Sequence, residues 1–101
     1  MPQKPPAPRP SVSETRLGNL VDNLYKGTDS PKRVGDGTTM DAIRNEMRTG
    51  RPTGGYFHTT KGKETLRGLE NWLRRNPGAT DADRSVAENL IHQLRDALGG
   101  R

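Results

Sequence analysis

The sequence predicts a mainly α domain of four small helices, and three observations carry that expectation. Apolar residues recur at helical spacing in four separate stretches, without the strict alternation that marks a half-buried strand. Each stretch follows a Ser or Thr suited to N-capping and ends at glycine or at an Asn-Pro-Gly stop. The length, 101 residues, is enough for one domain and not for two.

Residues 1–12 are expected to be a basic, proline-rich leader or linker ahead of a helical body at 13–101. Its prolines fix φ and lack an N–H, which makes this segment a stiff extended tether. Ser11-Val-Ser-Glu14 has the pattern of a capping box, and Leu17, Leu20, Val21 and Leu24 then share one face before Gly27. Thr38-Thr-Met-Asp41 caps a shorter helix with Met40, Ile43 and Met47 inward, stopped by Gly50 and Pro52. Thr60 is the expected cap of a third helix, with Leu66, Leu69 and Leu73 inward, Trp72 at the edge and Asn76-Pro77-Gly78 as the stop. Thr80 caps the fourth, where Val86, Ala87, Leu90, Ile91, Leu94, Ala97 and Leu98 follow helical spacing up to Gly99-Gly100. Residues 51–57 read as a short strand or a β-turn, with residues 32–34 as a candidate partner in a two-stranded patch.

Composition narrows the function. Apolar residues make up 28% of the chain and charged ones 29%, so the core must be thin. A net charge of +5 favours a polyanionic partner. A membrane is the weakest choice, for want of a long apolar run. The absence of cysteine excludes disulfides and a thiolate nucleophile, and denies zinc its commonest structural ligands. No cofactor is expected. The N-terminus has no apolar signal core, so the sequence is not expected to direct its own secretion.

The glycine-rich stretch 34–63 concentrates the chemistry. His58 can take a proton from a ribose 2′-OH or give one to a leaving oxygen, because imidazole titrates near neutrality. Lys61 and Lys63, close after it at a helix N-terminus, suit a phosphate and its added charge. A histidine packed beside Tyr56 and Phe57 is the plainer alternative. Thr59 and Thr60 can bond a phosphate oxygen, with capping the blander role for Thr60. Asp41, Arg44 and Arg48 are expected on one outward face of the second helix. There Asp41 can orient the imidazole, and the two arginines suit bidentate phosphate contact. Ordinary solvated charge pairs are the competing account of that face. Asp36, Asp41 and Glu46 offer carboxylates to Mg²⁺, but local electrostatic work is the commoner use and no metal site is expected. His92 belongs on the polar side of the last helix. Basic residues through the middle of the chain, interleaved with Tyr25, Tyr56, Phe57 and Trp72, fit a single-stranded RNA surface.

Taken as word order, Leu24-Tyr-Lys-Gly-Thr28, then Pro31–Glu46, then Thr49-Gly-Arg-Pro-Thr-Gly-Gly-Tyr-Phe-His-Thr-Thr-Lys61 resembles the C-terminal toxin domains of bacterial polymorphic toxins of the contact-dependent inhibition, haemagglutinin-like and Rhs types. The Ala82–Leu98 helix extends the likeness to nearly everything after residue 15. The resemblance implies a bacterial nuclease effector, often a ribonuclease acting on tRNA or rRNA in the cytoplasm of a target cell. It also implies a cognate immunity protein, which a chain of +5 charge would suit best if small and acidic.

The leading expectation is therefore a monomeric, metal-independent endoribonuclease that leaves a 2′,3′-cyclic phosphate. His58, Lys61, Asp41 and Arg44 are its catalytic candidates; Thr59, Thr60, Lys63 and Arg48 would bind the substrate. A non-catalytic nucleic-acid-binding module is the alternative, and a protein-interaction module ranks third.

Overall fold

Four helices form where the apolar periodicity places them: α1 (Thr15–Tyr25), α2 (Thr39–Thr49), α3 (Thr59–Arg75) and α4 (Asp81–Ala97). The computed structural model describes residues 4–31 and 33–99. Lys32 and Gly100, assigned above to a candidate β patch and to the end of α4, lie outside them. Helix α3 packs against α1 and α4, and α2 touches all three other helices. Between them lie Leu17, Leu20, Val21 and Leu24 of α1, Met40 and Ile43 of α2, Leu69 and Trp72 of α3, and the α4 stripe from Ala87 to Ala97. Each large member contributes about 1.5–3 kcal/mol through burial. No described helix is long and apolar enough to cross a membrane.

The caps separate what local sequence decides from what it does not. Thr38 and Thr80 cap α2 and α4 as expected, their hydroxyls accepting from Asp41 N and Asp83 N. Gly50, at φ 71°, closes α2. Helix α1 departs from expectation: its cap is Glu14, not Ser11, with the carboxylate accepting from Leu17 N. The same Oε1 accepts Trp72 Nε1–H at 2.6 Å, which explains why Trp72 is buried in the core and not at its edge. Asp83 then ties the start of α4 to the segment before α1, accepting from Ser13 N, Ser13 Oγ and Glu14 N. Those donors, Ser13 N–H foremost, hold the Asp83 carboxyl below the usual range against the opposing effect of burial. Met47, expected inward, is 57% exposed, and the residues after it up to Gly50 are exposed as well.

Residues 51–57 resolve into a turn. Thr53 and Tyr56 make an isolated antiparallel bridge around Gly54-Gly55, whose φ values are 62° and 93°. There is no strand among the described residues, and residues 33–34 take no part in the bridge.

The described part of the leader, residues 4–12, is not a free tether. Lys4 N and Ala7 N donate to the carbonyls of Gly35 and Asp36, each at 3.1 Å. Arg9 bonds Asp22 on α1 at 2.5 Å and the carbonyl of Gly18. The prolines keep the segment extended, and the connection between α1 and α2 supplies the carbonyls that fix it.

At Gly37 that connection runs backbone against backbone: φ is +85° and a Cβ would stand 2.5 Å from Thr28 Cα and 2.8 Å from Gly27 O. Both neighbours are backbone and cannot swing aside. Gly37→Ala is therefore expected to cost about 1–3 kcal/mol of stability from the left-handed strain alone. A denaturant midpoint within error of wild type would show that the connection can rearrange.

Candidate active site

A cleft of about 410 Å³ lies where the α1–α2 connection, the first turns of α2, the Thr53–Tyr56 turn and the start of α3 meet. Local hydrogen bonds hold its walls. Thr53 Oγ1 donates to the Ala42 carbonyl at 3.1 Å and accepts from Asn45 Nδ2, which ties the glycine turn to α2. Thr39 Oγ1 bonds the Asn23 carbonyl and ties α2 to α1.

His58 borders the cleft at the N-cap position of α3 and makes no capping bond of its own. Its partner is Glu46, from the C-terminal half of α2. Glu46 Oε2 lies 2.7 Å from His58 Nδ1, and Oε1 accepts His58 N–H at 2.7 Å. Thr59 Oγ1 reaches the same Oε1 at 3.4 Å. Glu46 is 4% exposed. A carboxylate so buried needs compensation, which the two N–H groups and the positive end of the α3 dipole supply. With the carboxylate accepting at Nδ1, Nε2 is left as the basic nitrogen, and no described residue bonds it. Tyr56 covers one side of the imidazole, ring centroids 4.3 Å apart.

Lys26 and Lys61 border the same cleft. Among the described residues no carboxylate pairs with either lysine. Lys61 is half-buried. Burial first, and the charge of Lys26 second, push its pKa below the ordinary lysine value. An anion placed there would relieve both effects.

The other expected site residues lie elsewhere. Asp41 does not sit on an outward face: its side chain is 1% exposed and its partners are Lys4, Arg44 and Asp36 N. It therefore does not orient the imidazole. Arg44 turns away from the cleft to bridge Asp41 at 2.9 Å and Asp96 at 3.5 Å. Arg48 is exposed and bonds Asn45 Oδ1. Lys63 and Thr60 are exposed on α3 and do not border the cleft; Thr60 lies inside the first turn and is not the cap. Thr59 is near the imidazole, but Glu46 occupies its hydroxyl. Spacing alone gave no sign of the Glu46–His58 pair, because 12 residues and the glycine turn separate its members.

A second, wider hollow of about 660 Å³ beside α3 and α4 carries His92, but acids and bases alternate around it. Arg95 there pairs with Glu70. Among the described residues no group of three or more His, Asp or Glu side chains is placed to hold a metal ion. Comparison with protein-family models, curated proteins and solved structures finds no match to this chain.

Proposed function

We propose that this chain is an endoribonuclease toxin domain that cleaves RNA by attack of a 2′-OH on the adjacent phosphorus. The observation that supports it most is a buried carboxylate orienting His58 at the edge of a cleft with two lysines lacking acidic partners. His58 Nε2 takes the 2′-OH proton as O2′ attacks phosphorus. Lys26 and Lys61 face the charge that builds on the non-bridging oxygens. The bond to O5′ then breaks, leaving a 2′,3′-cyclic phosphate on one fragment and a 5′-hydroxyl on the other. Lys61, beside that phosphate, is the proton donor to the departing O5′. Glu46 takes the orienting role first expected of Asp41, while Arg44, Arg48, Thr60 and Lys63 stand outside this scheme.

The resemblance to polymorphic toxin domains adds the biological setting: action on tRNA or another cellular RNA in the cytoplasm of a target bacterium. It also adds restraint by a small acidic immunity protein complementary to the lysine-bearing cleft.

The test is digestion of total RNA in EDTA by wild type and His58→Ala, followed by sequencing of the new ends. Wild type should give cyclic-phosphate ends and the variant none. Intact RNA that is merely shifted on a gel would make the chain a binding module. Activity abolished by EDTA would move the chemistry to a metal ion.

A further inference from the structure

The chain has few aromatic residues, and it divides them unequally. Trp72 is buried in the core and Tyr25 is half-buried, whereas Tyr56 and Phe57 are 58% and 54% exposed. With an apolar share of only 28%, leaving two rings in water is costly for this fold. Tyr56 is also held firmly in that position. Its backbone makes both hydrogen bonds of the bridge to Thr53, at 3.0 and 3.4 Å, and Thr53 is itself bonded to α2. One side of the ring rests on His58 and the remainder is open. The same ring borders the cleft that holds Lys26 and Lys61. Phe57, as exposed, does not border it.

We propose that Tyr56 is a stacking platform for one unpaired nucleobase of a single-stranded RNA, whose adjoining phosphate lies against Lys26 and Lys61. An exposed, immobilised ring beside unmatched cations is the combination that receives a base and its backbone together. Every base has a π-face, so the platform selects for strandedness more than for sequence. In a duplex both faces of each base are covered by neighbours, and the ring has nothing to stack on without unpairing it. This chain therefore favours loops, bulges and unpaired ends over helical RNA. The proposal rests on the nucleolytic reading only in making that phosphate the one that is cut.

Binding is tested separately from cleavage with a 2′-O-methyl oligonucleotide, which lacks the attacking hydroxyl. Fluorescence anisotropy at fixed salt compares the single strand with a duplex of the same sequence. Wild type should prefer the single strand. Tyr56→Leu should weaken that binding about 5- to 150-fold, the range expected for loss of one stacked base, and leave duplex binding unchanged. Tyr56→Phe should retain single-strand binding because it keeps the ring, and Phe57→Leu should retain it as well. The salt slope should be the same in wild type and Tyr56→Leu, since Tyr56 releases no counterion. A preference of wild type for duplex, binding to neither form, or an equal loss on both forms in Tyr56→Leu would overturn the proposal. So would unchanged single-strand affinity in that variant. The wild-type comparison needs no substitution, and so stands even if a variant misfolds. Cleavage of unmodified RNA is scored alongside. Stacking without cleavage overturns the nuclease and keeps the platform; cleavage with Tyr56→Leu binding intact does the reverse.

Discussion

Glu46→Gln should slow RNA cleavage by about 10²–10⁴-fold, the usual worth of a positioned acid–base group, with little change in KM. Glutamine preserves the volume of a side chain that is 4% exposed and keeps one oxygen to accept His58 N–H. What it cannot preserve is the acceptor 2.7 Å from Nδ1. An amide NH₂ at that place makes Nδ1 the acceptor and moves the ring proton to Nε2, so the nitrogen needed as base arrives already protonated. Because Glu46 is ion-paired with neither Lys26 nor Lys61, phosphate binding should survive and the loss should fall on kcat. His58→Ala should lose at least as much. The double variant should be hardly worse than either single one, since the two residues act as a unit. Glu46→Gln within about twofold of wild type would remove the pair from the mechanism.

How far the sequence could be read follows from the range of each interaction. The helices and most of their buried faces were legible because capping and apolar periodicity act within a few residues. Thr38 and Thr80 needed nothing else. Glu14 was not legible as a cap, since its second partner, Trp72, is 58 residues away. His58 and Lys61 could be singled out through their chemistry and their nearness in sequence, and the start of α3 sets both at one cleft. Glu46 could not be singled out, because α2 presents Asp41 and Glu46 on different faces and only tertiary packing decides which one meets the imidazole. The prolines of the leader announced an extended segment, but no local signal shows that it lies on the Gly35–Gly37 connection.

That docked leader leads to the second large effect: Asp41→Ala should cost about 1–3 kcal/mol, as when a buried acceptor is taken from the donors it satisfies, since the cations left behind, Lys4 and Arg44, are 54% and 35% exposed and can be hydrated. Against a total stability of about 5–15 kcal/mol for an ordinary domain, this is a sizeable fraction of the margin. Asp41 joins three elements. Oδ2 meets Lys4 Nζ of the leader at 2.8 Å and Asp36 N of the connection at 2.9 Å, while Oδ1 meets Arg44 on its own helix. Burial alone would raise its pKa, but Lys4, the Asp36 N–H and Arg44 outweigh it and bring the value down to about 2. A carboxyl lowered on folding stabilises the native state fully above its unfolded value of about 3.9. That contribution is lost as pH falls from about 4 towards 2. Denaturant midpoints measured from pH 7 to pH 2 should therefore drop steeply in that window for wild type and less steeply for Asp41→Asn. Some acid sensitivity should persist in the variant, because Glu14 and Asp83 are also held below the usual carboxylate range. Lys4→Ala should be milder than Asp41→Ala, since Arg44 still faces the carboxylate and Lys4 is 54% exposed. Any Asp41→Asn protein that remains folded at neutral pH should cut RNA within a few-fold of wild type, in contrast to Glu46→Gln. If Asp41→Asn is as inactive as Glu46→Gln while equally well folded, the two carboxylates have been assigned the wrong way round.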